Sequence, residues 1–116
     1  MIFQGIGRVF STAGEQQYQT IGAFWQEMSD VYGIGSLRGL GFNWTDQTIE
    51  YVVGLKDGVI EGANRQVELP DDGWKTVRGR TDDLGRIYDG IYRDGALLYE
   101  IETFTDDGAC EILYYR

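Results

Sequence analysis

The sequence predicts an α+β fold in which two duplicated β-α-β-β units form one antiparallel sheet, with both helices on one face. Two observations lead to this class. Two segments carry apolar residues at helical spacing, and six segments of strand-forming residues surround them. These segments follow one another in the same order in both halves of the chain, which favours an internal duplication. A chain of 116 residues suffices for one core, so we expect a single domain over residues 1–116.

The two helices differ in length. Residues 15–32 are predicted to form the first helix, because their apolar side chains recur every three or four positions and so lie on one face. Thr12 and Glu15 have the spacing of a capping box at its start, and Gly33 is expected to end it. A shorter helix is predicted within residues 81–95, where apolar residues recur at the same spacing.

The other segments are predicted to be strands, one before each helix and two, as a hairpin, after it. Residues 1–55 form the first unit and residues 74–116 the second, joined by a Gly/Asp-rich linker at about 56–73. Each hairpin contains an aromatic residue, Thr-Asp and a strand with one glutamate, in WTDQTIEYVV (44–53) and FTDDGACEILYY (104–115). These glutamates, Glu50 and Glu111, are expected to be exposed. A duplicated unit has a pseudo-two-fold seam, where we expect a cleft.

The charge balance indicates which partners the protein can bind. With 19 acidic and 10 basic residues, the net charge is −9, so the chain lacks the basic surface that a nucleic-acid binder needs and would be repelled by an anionic membrane. Cationic partners are favoured. The start, MIFQGIGRVF, lacks the features of a signal peptide. The single cysteine, Cys110, excludes an internal disulfide, so we expect a cytoplasmic protein.

The chain lacks the residues that most catalytic and metal sites use. It has no histidine, which is the commonest general base and metal ligand, and one cysteine cannot form a thiolate zinc site. The glycine clusters at 5–8 and 33–41 match neither a P-loop nor a dinucleotide-binding motif. We therefore expect no cofactor, no metal and no assigned catalytic residue. Chemistry through carboxylate, tyrosine and water stays open.

The segment LLYEIETF (97–104) places two glutamates among apolar residues. On an edge-exposed strand, Glu100 and Glu102 share one face with Leu98 and Phe104, because side chains alternate between faces. A solvated face would expose the apolar neighbours, whereas a dry core would bury two carboxylates without partners. A half-open cleft lined by aromatic residues resolves this conflict. A simply solvated face is the alternative.

Several short motifs are arranged as in a known family. The segment VELPDDGWKTVRG (67–79) combines a strand ending in proline, a glycine-containing turn, an aromatic residue and a short strand before a helix. Together with FW in the first helix (Phe24, Trp25), YVVGL (51–55) and YEIE (99–102), this order resembles the GyrI-like family. The family comprises the effector-binding domains of AraC-type and multidrug-sensing transcription regulators and also occurs as stand-alone proteins. Because the chain has no DNA-binding helices, the resemblance implies a stand-alone domain.

The resemblance implies a ligand site around a buried glutamate. The family's multidrug sensors pair a glutamate on the strand after the second helix with cationic aromatic compounds. In this sequence that position falls on Glu100, with Glu102 as its close competitor. Tyrosine and tryptophan suit such a pocket because each ring also carries a polar group. The candidate ligand-binding rings are Trp25, Tyr51, Tyr88, Tyr92, Tyr99 and Trp74, the last as a lid or as a strand anchor.

The favoured interpretation is non-enzymatic binding of a cationic, amphipathic aromatic small molecule, for effector sensing or sequestration. A partner regulator would then respond to the ligand-bound form of the protein. One alternative is hydrolysis of strained electrophiles, as the resemblance to some GyrI-like proteins implies, with Glu100 as general base. Another is a protein-interaction module that resembles the gyrase-directed members of the family, whose acidic surface would dock onto a basic partner.

Overall fold

The computed structural model describes residues 1–116 and contains seven strands and two helices. In chain order the elements are β1 (Ile2–Ser11), α1 (Gln17–Tyr32), β2 (Leu37–Phe42), β3 (Thr48–Leu55), β4 (Arg65–Glu68), β5 (Lys75–Arg80), α2 (Leu84–Arg93), β6 (Tyr99–Phe104) and β7 (Ala109–Tyr115). The strands form one antiparallel sheet in the order β4-β1-β3-β2-β6-β7-β5. The predicted α+β class is confirmed. Neither helix combines the length and the apolar character required to cross a membrane.

The same strand pairing occurs in both halves of the chain. In the first half β1 pairs with β3 and β3 with β2; in the second half β5 pairs with β7 and β7 with β6. The halves meet where β2 pairs with β6, with Gly39 opposite Glu102 and Gly41 opposite Glu100. The glutamate strand β6 therefore lies inside the sheet, and the expectation that it is an exposed edge is wrong.

Strand β4 lies within the segment 56–73 expected to be a linker, where only the family motif at 67–79 indicated a strand. It pairs with β1, placing Phe3 opposite Val67. Val67 and Leu69 are buried against Phe3 and Phe42 on the sheet face opposite the helices. The Gly/Asp-rich composition indicated turns, but these two apolar side chains have a partner surface, and their burial makes the extended conformation favourable.

The start of the first helix differs from the prediction. Helix α1 begins at Gln17, two residues later than expected, and Thr12 makes no side-chain capping bond. Glu15 has a positive φ of 59°, which no helical residue adopts, so the proposed capping box of Thr12 and Glu15 is wrong. The end is as predicted: Gly33 has φ 82° and its N–H donates to the carbonyl of Ser29 at 2.9 Å.

The matching glutamates of the two hairpins each pair with an arginine. Arg65 Nε lies 2.5 Å from Oε2 of Glu50, and Arg78 Nε lies 2.7 Å from Oε2 of Glu111. Both carboxylates are partly buried, so the expectation of fully exposed positions is wrong. Such pairs near the surface contribute little stability, about 0–1 kcal/mol each. In each pair the arginine provides the counter-charge of the glutamate.

Candidate ligand-binding site

The two glutamates of β6 are buried. Glu100 is 5% and Glu102 is 7% exposed, and they are the only buried charged residues of the protein. Because side chains alternate along a strand, both lie on the helix-covered face with Phe104, while Ile101 packs into the core of the other face. Neither carboxylate takes part in an ion pair. A buried charge without a partner is unfavourable, so this position calls for an explanation.

The glutamates line a cavity of about 360 Å³ between the sheet and both helices. Its walls come from α1, α2, β3, β6 and the loop after β2; the largest side chains are Tyr18, Ile21, Trp25, Trp44, Ile49, Tyr51, Leu84, Tyr88, Tyr92 and Phe104. Tyr18 is 59% exposed and lies at the rim. A concave, mainly apolar volume with a few converging polar groups is typical of small-molecule sites.

One glutamate receives a chain of hydrogen bonds. The indole Nε1 of Trp25 donates to the Tyr51 hydroxyl at 2.8 Å. That hydroxyl in turn donates to Oε1 of Glu102 through a short bond. Trp25 is further fixed by an edge-to-face contact with Phe104, with ring centroids 4.9 Å apart at 85°. This series of hydrogen bonds therefore holds Glu102 in one orientation and stabilises its ionised form.

The other glutamate is held by the second helix. The Tyr92 hydroxyl donates to Oε2 of Glu100 at 3.0 Å. Tyr88 lies one turn earlier and stacks on Tyr92, with ring centroids 5.8 Å apart and ring planes at 22°. Burial, together with the nearby Glu102 carboxylate, raises the pKa of Tyr88 well above its ordinary value, and its hydroxyl lies beside Glu102 without a close hydrogen bond. Among the aromatic hydroxyls of the cavity floor, this one lacks a partner.

Burial sets the charge state of the cavity. Burial, together with the neighbouring Glu102 carboxylate, raises the pKa of Glu100 to about 8. Burial also raises the pKa of Glu102, but the hydrogen bond from Tyr51 stabilises its ionised form. Near neutral pH, Glu100 is therefore largely protonated. Burial also raises the pKa of Tyr51 well above its ordinary value, so this phenol remains a neutral donor.

Two glycines of β2 make room for the polar floor. A Cβ at Gly39 would lie 2.2 Å from the Tyr51 hydroxyl and 2.7 Å from Cζ2 of Trp25. A Cβ at Gly41 would lie 2.9 Å from Oε1 of Glu100. These two glycines therefore provide space for the glutamates and their donors, which explains part of the unassigned glycine cluster 33–41.

We expect Gly39→Ala to lower the free energy of unfolding by about 1–3 kcal/mol, because the added methyl group overpacks against Tyr51 and Trp25. The matched control is Gly35→Ala, where a Cβ meets no atom within 4 Å. Urea unfolding of both variants measures the difference. Equal stability of the two variants would show that the space above Gly39 is not needed.

Six of the eight residues proposed from the sequence line the cavity: Trp25, Tyr51, Tyr88, Tyr92, Glu100 and Glu102. Tyr99 and Trp74 do not. Tyr99 points to the opposite face of the sheet, where its ring lies 6.1 Å from that of Trp74. The Trp74 indole donates to the carbonyl of Pro70 at 2.8 Å, so it anchors the turn and is not a lid. The expectation that these two rings share the glutamate cleft is corrected.

Other residues of the cavity were not proposed from the sequence. Phe104 could have been found, because it follows Glu102 by two positions and so shares its face. Ile21 likewise precedes Trp25 by one helical turn, although its apolar character indicated core packing. Trp44 lies in the loop between β2 and β3 and has no periodic signal that would place it here.

The fold and the cavity define a small α+β protein with a buried, acidic and aromatic cavity. No protein-family model matches the chain, and neither does any curated protein or solved structure. No group of three or more histidine, cysteine, aspartate or glutamate side chains is arranged to hold a metal ion. The polar chemistry of the cavity is therefore mainly that of two carboxyl groups, four tyrosine hydroxyls and two indoles.

Proposed function

We propose that the protein binds small cationic aromatic molecules in this cavity, with the Glu100–Glu102 pair as the counter-charge. The observation that supports this is the composition of the lining, which contains two glutamates and neither lysine nor arginine. Buried carboxylates are normally paired with a cation or a metal. Because the protein supplies neither here, a bound cation is the partner that completes the site.

Charge selection follows from the same arrangement. A cation beside Glu102 gains an attraction that is stronger in this partly desolvated site than in water. It also stabilises the ionised form of Glu100, whose pKa is raised to about 8 by burial and by the charge of Glu102. A neutral or anionic molecule of the same shape gains neither effect. Charge is therefore selected more strictly than shape.

The aromatic walls define the body of the ligand. Trp25, Tyr88 and Tyr92 present ring surfaces close to the carboxyl groups. A cation against such a ring gains about 0.5–2 kcal/mol. A cavity of about 360 Å³ lies at the small end of the range for ligand sites, which suits a molecule of one or two fused rings.

The resemblance to GyrI-like domains supports a binding role without chemistry. In that role the domain senses or sequesters its ligand in the cytoplasm, and a partner regulator responds to the bound state. The net charge of −9 favours a cationic ligand and disfavours contact with nucleic acid or an anionic membrane.

A second candidate function is hydrolysis of a strained electrophile, which the unequal charge states of the two carboxyl groups favour. Glu100, whose pKa of about 8 keeps it largely protonated near neutral pH, lies beside Glu102, whose ionised form is stabilised by Tyr51, and this is the arrangement of an acid–base pair. In this scheme Glu100 is the general acid near neutral pH, and Glu102 activates the water. Mass spectrometry of incubations with epoxides distinguishes the functions, because only an enzyme releases a hydrolysed product.

The proposal is tested by a fluorescence screen of small aromatic cations, each beside its neutral and anionic isosteres. We expect saturable binding of the cations with a stoichiometry of one per chain and no binding of the anions. Equal binding of anionic and cationic members of a matched set would contradict the proposal. Displacement of one cation by another would show that they share the site.

A further inference from the structure

Each carboxyl group of the cavity has one oxygen occupied by a protein donor and one that is free. Tyr51 donates to Oε1 of Glu102, and Tyr92 donates to Oε2 of Glu100 at 3.0 Å. No protein donor reaches the remaining oxygen, Oε2 of Glu102 or Oε1 of Glu100. A bound cation favours the ionised form of Glu100, so the occupied site offers two free acceptors that belong to different residues.

A third polar group lacks a partner at the same place. The hydroxyl of Tyr88 is buried, although its ring lines the cavity, and it lies beside Glu102 without a close hydrogen bond to any protein group. Buried polar groups in proteins are nearly always hydrogen-bonded, so an unpartnered hydroxyl beside two free acceptors indicates a ligand that bonds to all three. A phenol hydroxyl both accepts and donates, and it can therefore bridge a ligand N–H and a carboxylate.

The spacing of the acceptors requires more than one donor on the ligand. Glu100 and Glu102 are two residues apart on one strand, which separates their Cα atoms by about 6.8 Å. Their side chains converge on one cavity, above Gly41 and Gly39 of the neighbouring strand. A single N–H reaches one of these groups, whereas a head group with several N–H donors can reach both carboxyl groups at once.

We propose that the charged head of the ligand carries at least two N–H donors, as in an amidinium, a guanidinium or a primary ammonium group. This inference rests on the proposed function and names the class of cation that the site takes. A quaternary ammonium has the same charge but no N–H donor. On binding it displaces water from the free oxygens and leaves them without hydrogen bonds, and such unsatisfied groups weaken binding.

The test compares three molecules with the same ring system by calorimetric titration at pH 7: 2-naphthamidinium, N,N,N-trimethyl-2-naphthylammonium and neutral 2-naphthamide. We expect the amidinium to bind about tenfold or more tightly than the trimethylammonium compound, because one or more buried acceptors stay unfilled in the second complex. Equal or tighter binding of the trimethylammonium compound overturns this inference and leaves the cation site intact. If neither cation binds more tightly than the amide, the proposed function itself fails.

The variant Tyr88→Phe separates hydrogen bonding from charge. It removes a hydroxyl that makes no close hydrogen bond and whose only near acceptor in the protein is Glu102, so the stability of the fold should change little. We expect amidinium binding to weaken by roughly threefold to tenfold and trimethylammonium binding to stay unchanged. Tyr99→Phe, on the opposite face of the sheet, is the matched control and should change the affinity for neither cation. Equal weakening of both cations by Tyr88→Phe would show that the hydroxyl makes no bond to the ligand head.

Discussion

The double variant Glu100→Gln/Glu102→Gln should bind a cationic aromatic probe about a hundredfold or more weakly than the wild-type protein. Each charge-assisted hydrogen bond contributes about 1.5–3 kcal/mol, and the variant removes both carboxyl groups while keeping their size. The neutral isostere of the probe should bind both proteins alike. Calorimetric titration at pH 7 measures the two affinities.

The single variants Glu100→Gln and Glu102→Gln should differ in their affinity for the cation at neutral pH. Tyr51 donates to Glu102 and stabilises its ionised form, whereas burial and the Glu102 charge raise the pKa of Glu100 to about 8. Glu102→Gln should therefore weaken cation binding about tenfold or more, and Glu100→Gln should weaken it less. This order reverses the choice made from the sequence, in which Glu100 was the primary charge and Glu102 its competitor.

A matched control is available on the other face of the sheet. Glu111→Gln makes the same chemical change on β7, where the carboxylate pairs with Arg78 outside the cavity. It should leave the affinity of the cation unchanged. If Glu111→Gln weakens binding as much as the double variant does, the cation binds through the general negative charge of the protein and not in the cavity.

The stability of the unliganded protein should decrease as the pH rises from 4.5 to 8, and Glu100→Gln should remove much of that decrease. The pKa of Glu100 is raised from 4.5 to about 8 by burial and by the Glu102 charge. Within this interval the unfolded chain loses the proton while the folded protein retains it, so the folded protein binds more protons and stability falls as the pH rises.

The size of this effect is large for one side chain. Each pH unit in the interval corresponds to about 1.4 kcal/mol, so up to about 3 kcal/mol is lost between pH 4.5 and pH 7. Glutamine cannot ionise, and Glu100→Gln should therefore be more stable than the wild-type protein at pH 7 by a similar amount. Urea unfolding at pH 5, 6, 7 and 8 measures how the free energy of unfolding of the wild-type protein and of Glu100→Gln depends on pH. The same pH dependence in both proteins would show that Glu100 is not desolvated.

The fold was predictable from the sequence because two different periodicities mark its elements. The apolar face of residues 15–32 and the alternation in the strands correspond to helix α1 and to six of the seven strands. Strand β4 was indicated only by the family motif, which begins with a strand ending in proline at 67–70. Periodicity did not predict it, because only Val67 and Leu69 distinguish this segment from a loop, and their burial depends on Phe3 about 65 positions earlier. The capping box also failed, because a pair of residues at the right spacing does not fix the backbone of Glu15.

The acidic centre of the site was predictable for a similar reason. Alternation placed Glu100 and Glu102 on the same face of the strand as apolar residues. In the structure both are buried, with 5% of Glu100 and 7% of Glu102 exposed. The same alternation places Tyr99 on the opposite face; it was included among the ligand-binding residues because a ring with a polar hydroxyl suits a pocket. The role of Gly39 could not be predicted, because it depends on the strand pairing that brings Tyr51 and Trp25 above it.

The most direct test of the cation site is the position of a bound probe, because the protein offers two aromatic clusters on opposite faces of its sheet. Nuclear Overhauser effects between the ring protons of 2-naphthamidinium and the protein distinguish them. We expect contacts to Trp25, Tyr88 and Tyr92, which line the cavity. Contacts only to Trp74 and Tyr99, whose rings lie 6.1 Å apart outside it, would contradict a cation site at the two glutamates.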